Sequence, residues 1–175
     1  RTTCVLFGDG AGAVMLEPTE DEMGMHDFVF QVDGSGGPNL CQPGGGSLHP
    51  ASHETVEKRM HFIRQEGREV FKFASKAMAD SAVEVLARNG LTGEDIALLV
   101  PHQANKRIID AVAQRLKVPA ENCYLNIERF GNTSSASIPI ALDEAVRSGK
   151  IRGGSIVLMA AFGAGLTWGA SVVRW

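Results

Sequence analysis

The sequence predicts an α/β fold built on a mixed sheet. Strand-like apolar runs alternate with helical patterns from residue 66 to residue 161. Two apolar runs separated by a glycine-rich turn then end the chain. Alternation of this kind is typical of proteins in which helices cover a sheet. The closing pair of strands adds antiparallel pairing, so we expect the sheet to be mixed.

The first third of the chain is predicted to contain strands and a long connection. Apolar runs at 3–7 and 13–16 flank the glycine-rich segment 8–12, which predicts a β-hairpin. A further strand is expected at 28–32. Residues 34–50 are rich in glycine, proline and serine and show no apolar periodicity. A loop of this length without regular structure is often functional or mobile.

Helical and strand patterns share the remaining two thirds of the chain. Apolar residues recur at spacings of three and four across 66–89, which predicts a helix that ends at Asn89-Gly90. The apolar run at 96–100 predicts a buried strand, and a second amphipathic helix follows Asn105. The remaining predicted elements are a strand at 124–127, a helix at 136–147 and strands at 156–161 and 170–173.

Three turns carry the residues that are suited to chemistry. His102 lies between a buried strand and a helix, where open α/β sheets bind ligands. Asn132 lies in a small, polar cluster and has a side-chain N–H donor. The glycine-rich turn after residue 161 offers backbone N–H groups. For His102 alone a structural role in the loop is the simpler interpretation, but the three turns together suit the stabilisation of an oxyanion.

The composition excludes several classes of function. A net charge of −3 over 175 residues provides no global basic field for nucleic acid. No apolar run approaches the roughly 20 residues of a membrane helix, so we expect no membrane partner either. Cys4, Cys41 and Cys123 are odd in number and unpatterned, which favours a reducing compartment and predicts a cytoplasmic location. No metal-ligand motif is present, and no metal site is predicted.

Four sequence blocks carry a resemblance to a known family. They are Gly67-Arg68-Glu69-Val70-Phe71-Lys72-Phe73-Ala74, Val100-Pro101-His102-Gln103-Ala104-Asn105, Gly131-Asn132-Thr133-Ser134 and Phe162-Gly163-Ala164-Gly165-Leu166-Thr167-Trp168-Gly169. Over essentially its whole length the chain resembles the β-ketoacyl-acyl-carrier-protein synthase III family. The resemblance implies a thiolase-like fold with a mixed five-stranded sheet. It also implies a duplicated architecture, of which this chain would hold one repeat plus the last hairpin of the other.

The implied activity is that of an acyltransferase, a condensing enzyme that starts fatty acid synthesis. It joins acyl-CoA to malonyl-carrier protein with loss of carbon dioxide and needs no cofactor beyond these substrates. By resemblance, His102 and Asn132 would stabilise the enolate, and the backbone N–H of Ala164 would stabilise the tetrahedral intermediate of acyl transfer. The other implied contacts are Phe71, Asn105 and Ile108 with acyl-CoA and its pantetheine arm, and Arg107 and Lys72 with the acyl carrier protein.

The family's cysteine nucleophile starts a buried helix in an amino-terminal half. Cys4 lies in a predicted strand, Cys41 in a glycine-rich loop and Cys123 just after a helix, so none has this context. We therefore expect the chain to be the carboxyl-terminal half of a longer enzyme, inactive alone, with the missing half as a partner and a homodimer when intact. The expected division is 1–33 as terminal strands of the amino-terminal half, 34–65 as a connection and tunnel entrance, and 66–175 as the carboxyl-terminal half with the His/Asn site.

Two other interpretations stay open. The chain could belong to a related condensing enzyme that uses a different thioester, since Leu166 stands where the family often has phenylalanine. It could also be a non-catalytic subunit that binds a carrier protein or pairs with a catalytic partner. The presence of both His102 and Asn132 argues against a purely structural role.

Overall fold

The computed structural model describes residues 3–175 and contains a mixed sheet with helices on both faces. The strands are β1 Gly24–Val32, β2 Leu40–Cys41, β3 Arg64–Gln65, β4 Leu98–Pro101, β5 Ile156–Gly163 and β6 Thr167–Arg174. The helices are α1 His53–Glu57, α2 Gly67–Arg88, α3 Lys106–Leu116, α4 Ile127–Phe130 and α5 Ser137–Arg147. The predicted α/β class is confirmed.

The large sheet has the strand order β1-β6-β5-β4. β4 and β5 are parallel, whereas β5–β6 and β1–β6 are antiparallel, so the sheet is mixed as predicted. On the far side of β4 a single parallel bridge joins Leu99 to Cys123. Within the described residues the predicted five-stranded sheet therefore consists of four full strands and this one bridge. β2 and β3 form a separate antiparallel pair.

Strand β4 lacks polar alternation because it is buried on both faces. Leu99 packs into a core that includes α2 and α3. Leu98 and Val100 point the other way, into a second core that includes α5. Successive strand side chains point to opposite faces, so a strand between two helical layers needs apolar residues at every position. The end of β4, where His102 follows, is thereby fixed between two helical layers.

The two predicted amphipathic helices form with the expected ends. α2 buries Ala74, Met78 and Val85 on one stripe and ends before Gly90, whose φ of 66° suits a residue without a Cβ. α3 begins after Asn105, whose side chain accepts a hydrogen bond from the backbone N–H of Arg107 at 2.9 Å. No helix in the described part of the chain is long and apolar enough to cross a membrane.

The hairpin predicted over residues 3–16 is wrong. Residues 3–6 form a turn, Phe7 makes one parallel bridge with Asn132, and residues 13–16 form no strand. Val14, Met15 and Leu16 are 64%, 84% and 79% exposed. An apolar run becomes a strand only where a neighbouring strand satisfies its backbone N–H and C=O groups. Among residues 3–175 no strand lies beside this run.

The strand predicted at 124–127 is also wrong. The N–H of Tyr124 donates to the carbonyl of Leu99 at 2.8 Å, but the chain then turns into α4. The cause is the side chain of Gln103, whose Oε1 accepts hydrogen bonds from the N–H groups of Asn126 and Ile127 at 3.1 and 3.2 Å. These donors are therefore not available to a fifth strand.

The segment before α2 contributes to the same sheet. The strand predicted at 28–32 is confirmed and extends back to Gly24, and it pairs with β6 along its length. Residues 34–65 contain a 3₁₀ turn at Gly34–Asn39, helix α1 and the β2–β3 pair. The division of the chain at residues 33 and 65 stays a prediction, although strand pairing between β1 and β6 crosses it.

Candidate active site

A cavity of about 1230 Å³ opens beside the carboxyl ends of β4 and β5. Six residues predicted to bind or react with substrate line it, namely Phe71, His102, Asn105, Ile108, Asn132 and Ala164. The predicted entrance segment contributes Leu40, Cys41 and Ile63 to the wall. The structure therefore brings the expected site residues together at one sheet edge, although their roles stay predictions.

His102 is held at both its backbone and its ring. Its backbone N–H continues the β4–β5 pairing by donating to the carbonyl of Ala160 at 2.8 Å. Its Nδ1 lies 2.6 Å from the Oγ of Ser137, the first residue of α5. Burial lowers the pKa of His102 below the ordinary value for histidine. The ring is therefore uncharged at neutral pH, and its lining position leaves it accessible from the cavity.

Gln103 supports the site from inside the protein, and sequence reasoning missed it. It is 1% exposed, and its Nε2 donates to the carbonyls of Pro101 at 2.9 Å and Tyr124 at 3.1 Å. Its Oε1 accepts from two N–H groups at the start of α4, as described above. The side chain thus ties the end of β4 to the segment that leads to Asn132. The signal that could have found it is an amide side chain directly after an apolar strand and next to His102.

Asn132 is oriented by main-chain bonds and by its own turn. Its N–H donates to the carbonyl of Leu6 at 2.9 Å, and its carbonyl accepts from the N–H of Gly8 at 2.9 Å. Its Oδ1 accepts from the N–H of Ser134 at 2.8 Å. Because the amide oxygen is used in this way, the Nδ2 donors lie on the other side of the amide group. Asn132 lines the cavity, so it can serve as the predicted hydrogen-bond donor.

The β5–β6 turn that contains Ala164 is fixed from residues 33–36. The backbone N–H and C=O of Leu166 pair with the C=O and N–H of Asp33, each at 2.8 Å. A Cβ on Gly36 would lie 2.4 Å from Cδ1 of Leu166, so glycine permits this close approach. Thr167 Oγ1 also donates to the carbonyl of Ala164 at 3.2 Å. The connection therefore shapes the turn that would offer the backbone N–H.

The two predicted carrier-protein contacts lie in different places. The guanidinium of Arg107 stacks 5.0 Å from the ring centre of Phe71, which lines the cavity. Arg107 is therefore at the cavity mouth. Lys72 is exposed and lies 3.7 Å from Glu69 in an ion pair. It borders a second, smaller depression between α2 and α3, whose other cationic residues are Lys76 and Arg115.

Two of the cysteines lie in different surroundings, and the described residues form no metal-binding group. Burial raises the pKa of Cys123 to about 11, so its thiol is protonated at neutral pH. Cys41 is half-buried in the cavity wall, and its Sγ lies 3.8 Å from the carbonyl of Pro38. Among residues 3–175, no group of three or more histidine, cysteine, aspartate or glutamate residues is placed to hold a metal ion.

Comparison with protein families identifies the chain. The model of the 3-oxoacyl-[acyl-carrier-protein] synthase III C terminal matches residues 86–175, and that of 3-oxoacyl-[acyl-carrier-protein] synthase III matches residues 1–34. The chain belongs to the 3-oxoacyl-[acyl-carrier-protein] synthase III family. The resemblance stated from the four sequence blocks is thereby confirmed.

Individual members of this synthase III family match along the whole chain. The β-ketoacyl-[acyl-carrier-protein] synthase III proteins of Caldanaerobacter subterraneus and Koribacter versatilis are 56% and 54% identical, and each match covers 100% of this chain and 53% of the relative. The chain thus spans about half the length of the curated relatives it matches. The crystal structure of 3-oxoacyl-[acyl-carrier-protein] synthase III from Aquifex aeolicus VF5 aligns with a TM-score of 0.87 at 44% identity, covering 100% of this chain and 52% of that one.

Proposed function

We propose that the protein containing this chain is a 3-oxoacyl-[acyl-carrier-protein] synthase III, which condenses acyl-CoA with malonyl-carrier protein to start fatty acid synthesis. The observation that carries the proposal is the placement of His102 and Asn132 on one cavity in a chain of this family. In this proposal the chain supplies the enolate-stabilising half of the site. In the same proposal the cysteine nucleophile comes from an amino-terminal half, because none of Cys4, Cys41 and Cys123 lies at the start of a helix.

The chemistry assigns a distinct task to each group. The acyl group first moves from acyl-CoA to the cysteine of the other half, so that a new thioester forms while the CoA thioester breaks and CoA leaves as the free thiol. Malonyl-carrier protein then loses carbon dioxide, and the electron pair of the broken C–C bond moves onto the thioester as an enolate. Neutral His102 and the amide of Asn132 donate hydrogen bonds to the enolate oxygen. The enolate carbon attacks the acyl-cysteine, the backbone N–H of Ala164 stabilises the tetrahedral oxyanion, and the cysteine sulfur leaves as thiolate.

The substrates and partners follow from the same proposal. Phe71, Asn105 and Ile108 line the cavity and would contact the pantetheine arm of acyl-CoA or of the carrier protein. Arg107, stacked on Phe71 at the mouth, would contact the acidic carrier protein. Lys72 lies outside the cavity, on the depression between α2 and α3, and would contact the carrier protein there. We further propose a cytoplasmic homodimer that needs no metal or other cofactor, as the family resemblance implies.

Release of carbon dioxide from labelled malonyl-carrier protein tests the proposal in the full-length protein. We expect His102→Ala and Asn132→Ala each to slow release about 10²–10³-fold, the usual cost of removing one oxyanion donor. His26→Ala is the matched control, because His26 is an exposed histidine outside the cavity. Unchanged release in both site variants would refute the assignment. A wild-type protein that binds the carrier protein without decarboxylating it would favour the binding-subunit alternative.

A further inference from the structure

Ser137 contacts the His102 ring, yet the function proposed above gives it no role. It is the first residue of α5 and is only 2% exposed. Its Oγ lies 2.6 Å from Nδ1 of His102, a short distance for a hydrogen bond between a hydroxyl and an imidazole nitrogen. A neutral histidine has one ring nitrogen that donates and one that accepts. The partner of Nδ1 therefore decides which nitrogen can face substrate as a donor.

The contacts of Ser137 determine the direction of this hydrogen bond. The backbone N–H of Gln103 donates to the same Oγ at 3.3 Å. A hydroxyl has one hydrogen and two acceptor lone pairs, so it can accept from Gln103 while it donates to His102 Nδ1. The reverse arrangement, with a proton on Nδ1, would leave the hydroxyl hydrogen without an acceptor in these contacts. Burial of an unused donor is unfavourable.

We propose that Ser137 is a positioning residue that holds His102 in the tautomer with the proton on Nε2. In this arrangement Ser137 donates to Nδ1, and Nε2–H is the donor available to the thioester oxygen in the cavity. The inference rests on the proposed function for its catalytic consequence, but the tautomer itself is a separate property. The lowered pKa of His102 agrees with it, because a tautomer is defined only for the uncharged ring.

The tautomer can be measured directly in the full-length protein. Two-bond ¹H–¹⁵N correlation spectra at neutral pH distinguish the protonated from the unprotonated ring nitrogen, and the signal that His102→Gln removes is that of His102. In the protein that keeps Ser137, we expect the His102 signal to show a proton on Nε2 and none on Nδ1. A signal with the proton on Nδ1 would overturn the proposal without any Ser137 variant.

Variants of Ser137 then test whether this hydroxyl is the cause. We expect Ser137→Ala to give a mixture of both tautomers and Ser137→Thr, which keeps a hydroxyl, to restore the Nε2 form. Ser81→Ala is the matched control, since Ser81 is equally buried at 2% and donates to carbonyls of its own helix α2. Retention of the pure Nε2 form in Ser137→Ala, at an unchanged melting temperature, would show that Ser137 does not set the tautomer.

Kinetics of the same variants separate this inference from the proposed function. We expect Ser137→Ala to lower kcat for decarboxylation about tenfold, the size of effect of one net hydrogen bond, with KM for malonyl-carrier protein unchanged. Ser137→Thr should recover most of this loss, and Ser81→Ala should show none. A mixed tautomer with unchanged kcat would overturn the catalytic part of the inference. If His102→Ala also decarboxylates normally, the proposed function fails while the tautomer result stands.

Discussion

The two side chains proposed to bind the enolate oxygen are held by different kinds of structure. His102 follows the doubly buried strand β4, and its neighbour Gln103 makes four hydrogen bonds inside the protein. Asn132 instead depends on main-chain hydrogen bonds to Leu6 and Gly8. Leu6 is 40% exposed, and residues 3–8 belong to neither hydrophobic core.

The wall of the site that carries His102 (the His102 wall) is therefore coupled to global folding, whereas the wall that carries Asn132 (the Asn132 wall) depends on a local contact. Core hydrogen bonds open only when much of the structure opens, whereas exposed segments detach at low cost. Changes beside His102 should therefore lower stability, and changes beside Asn132 should lower activity with little loss of stability. Each of the following substitutions tests one side of this contrast in the full-length protein.

The largest expected effect on stability is at Gln103. Gln103→Met keeps the volume but removes all four side-chain hydrogen bonds. Because each buried group left without a partner costs about 1–3 kcal/mol, and part of the set can relax, we expect the free energy of unfolding to fall by about 4 kcal/mol. Urea unfolding measures this quantity.

Gln114→Met is the control for Gln103, because Gln114 is exposed on α3. A surface substitution of this kind is expected to change stability by less than about 0.5 kcal/mol. If Gln103→Met lowers the free energy of unfolding no more than Gln114→Met does, the Gln103 side chain does not connect the His102 wall to the core. The two walls would then not differ in their coupling to global folding.

A smaller effect, on activity rather than stability, is expected at Gly8. A Cβ there would lie 1.8 Å from the carbonyl oxygen of Phe130, so Gly8→Ala must move the segment that bonds to Asn132. We expect decarboxylation to slow about 100-fold, or about 2.7 kcal/mol of activation free energy, because Asn132 loses its orientation. The free energy of unfolding should fall by only about 1 kcal/mol, since residues 3–8 lie outside the cores.

Gly153→Ala is the matched control for Gly8, since a Cβ at this exposed glycine meets no atom within 4 Å and its φ is not in the left-handed region. Activity and stability should both stay unchanged there. If Gly8→Ala lowers stability as much as Gln103→Met does, then both walls belong to one cooperative unit.

Sequence reasoning found what local patterns encode. The helix and strand periods place α2, β4, α3, α5 and β5 correctly. His102 and Asn132 are predicted as site residues because each lies in a polar turn beside an apolar element, and both line the cavity. The hairpin expected at 3–16 was wrong because an apolar run does not reveal whether a pairing strand lies beside it. The family resemblance then supplied the chemistry that these positions alone left open.

Gln103 and Ser137 were missed for a different reason. Gln103 binds groups 21 to 24 residues away, and Ser137 contacts a ring 35 residues away. Such hydrogen bonds depend on how β4, α4 and α5 pack together. The spacing of apolar residues within one element carries no information about this packing. Polar residues that are buried for this purpose look like ordinary turn residues in the sequence.

The smallest expected effect concerns Glu144, which joins the two walls. From α5 it accepts hydrogen bonds at 2.8 Å from Asn126 Nδ2 and from Arg129 on the segment that leads to Asn132. Burial by itself would raise the pKa of Glu144, but the bonds from Arg129 and Asn126 outweigh it and hold the pKa below its usual value of 4.5. The carboxylate form therefore stabilises the folded protein.

The pH dependence of the Glu144→Gln effect tests this link. A carboxyl whose pKa is lowered by folding stabilises the protein above its unfolded pKa, and the contribution is lost as pH falls through the folded pKa. We expect Glu144→Gln to lower the free energy of unfolding by about 1 kcal/mol at pH 7 and by much less at pH 3. The effect at pH 7 is small because Arg129 is more than half exposed, so water screens the pair. Asp143→Asn, which breaks an exposed pair with Arg147, is the control and should cost less at pH 7. A cost of Glu144→Gln that is equal at both pH values would mean that packing of α5, rather than this charge, joins the Asn132 wall to the core.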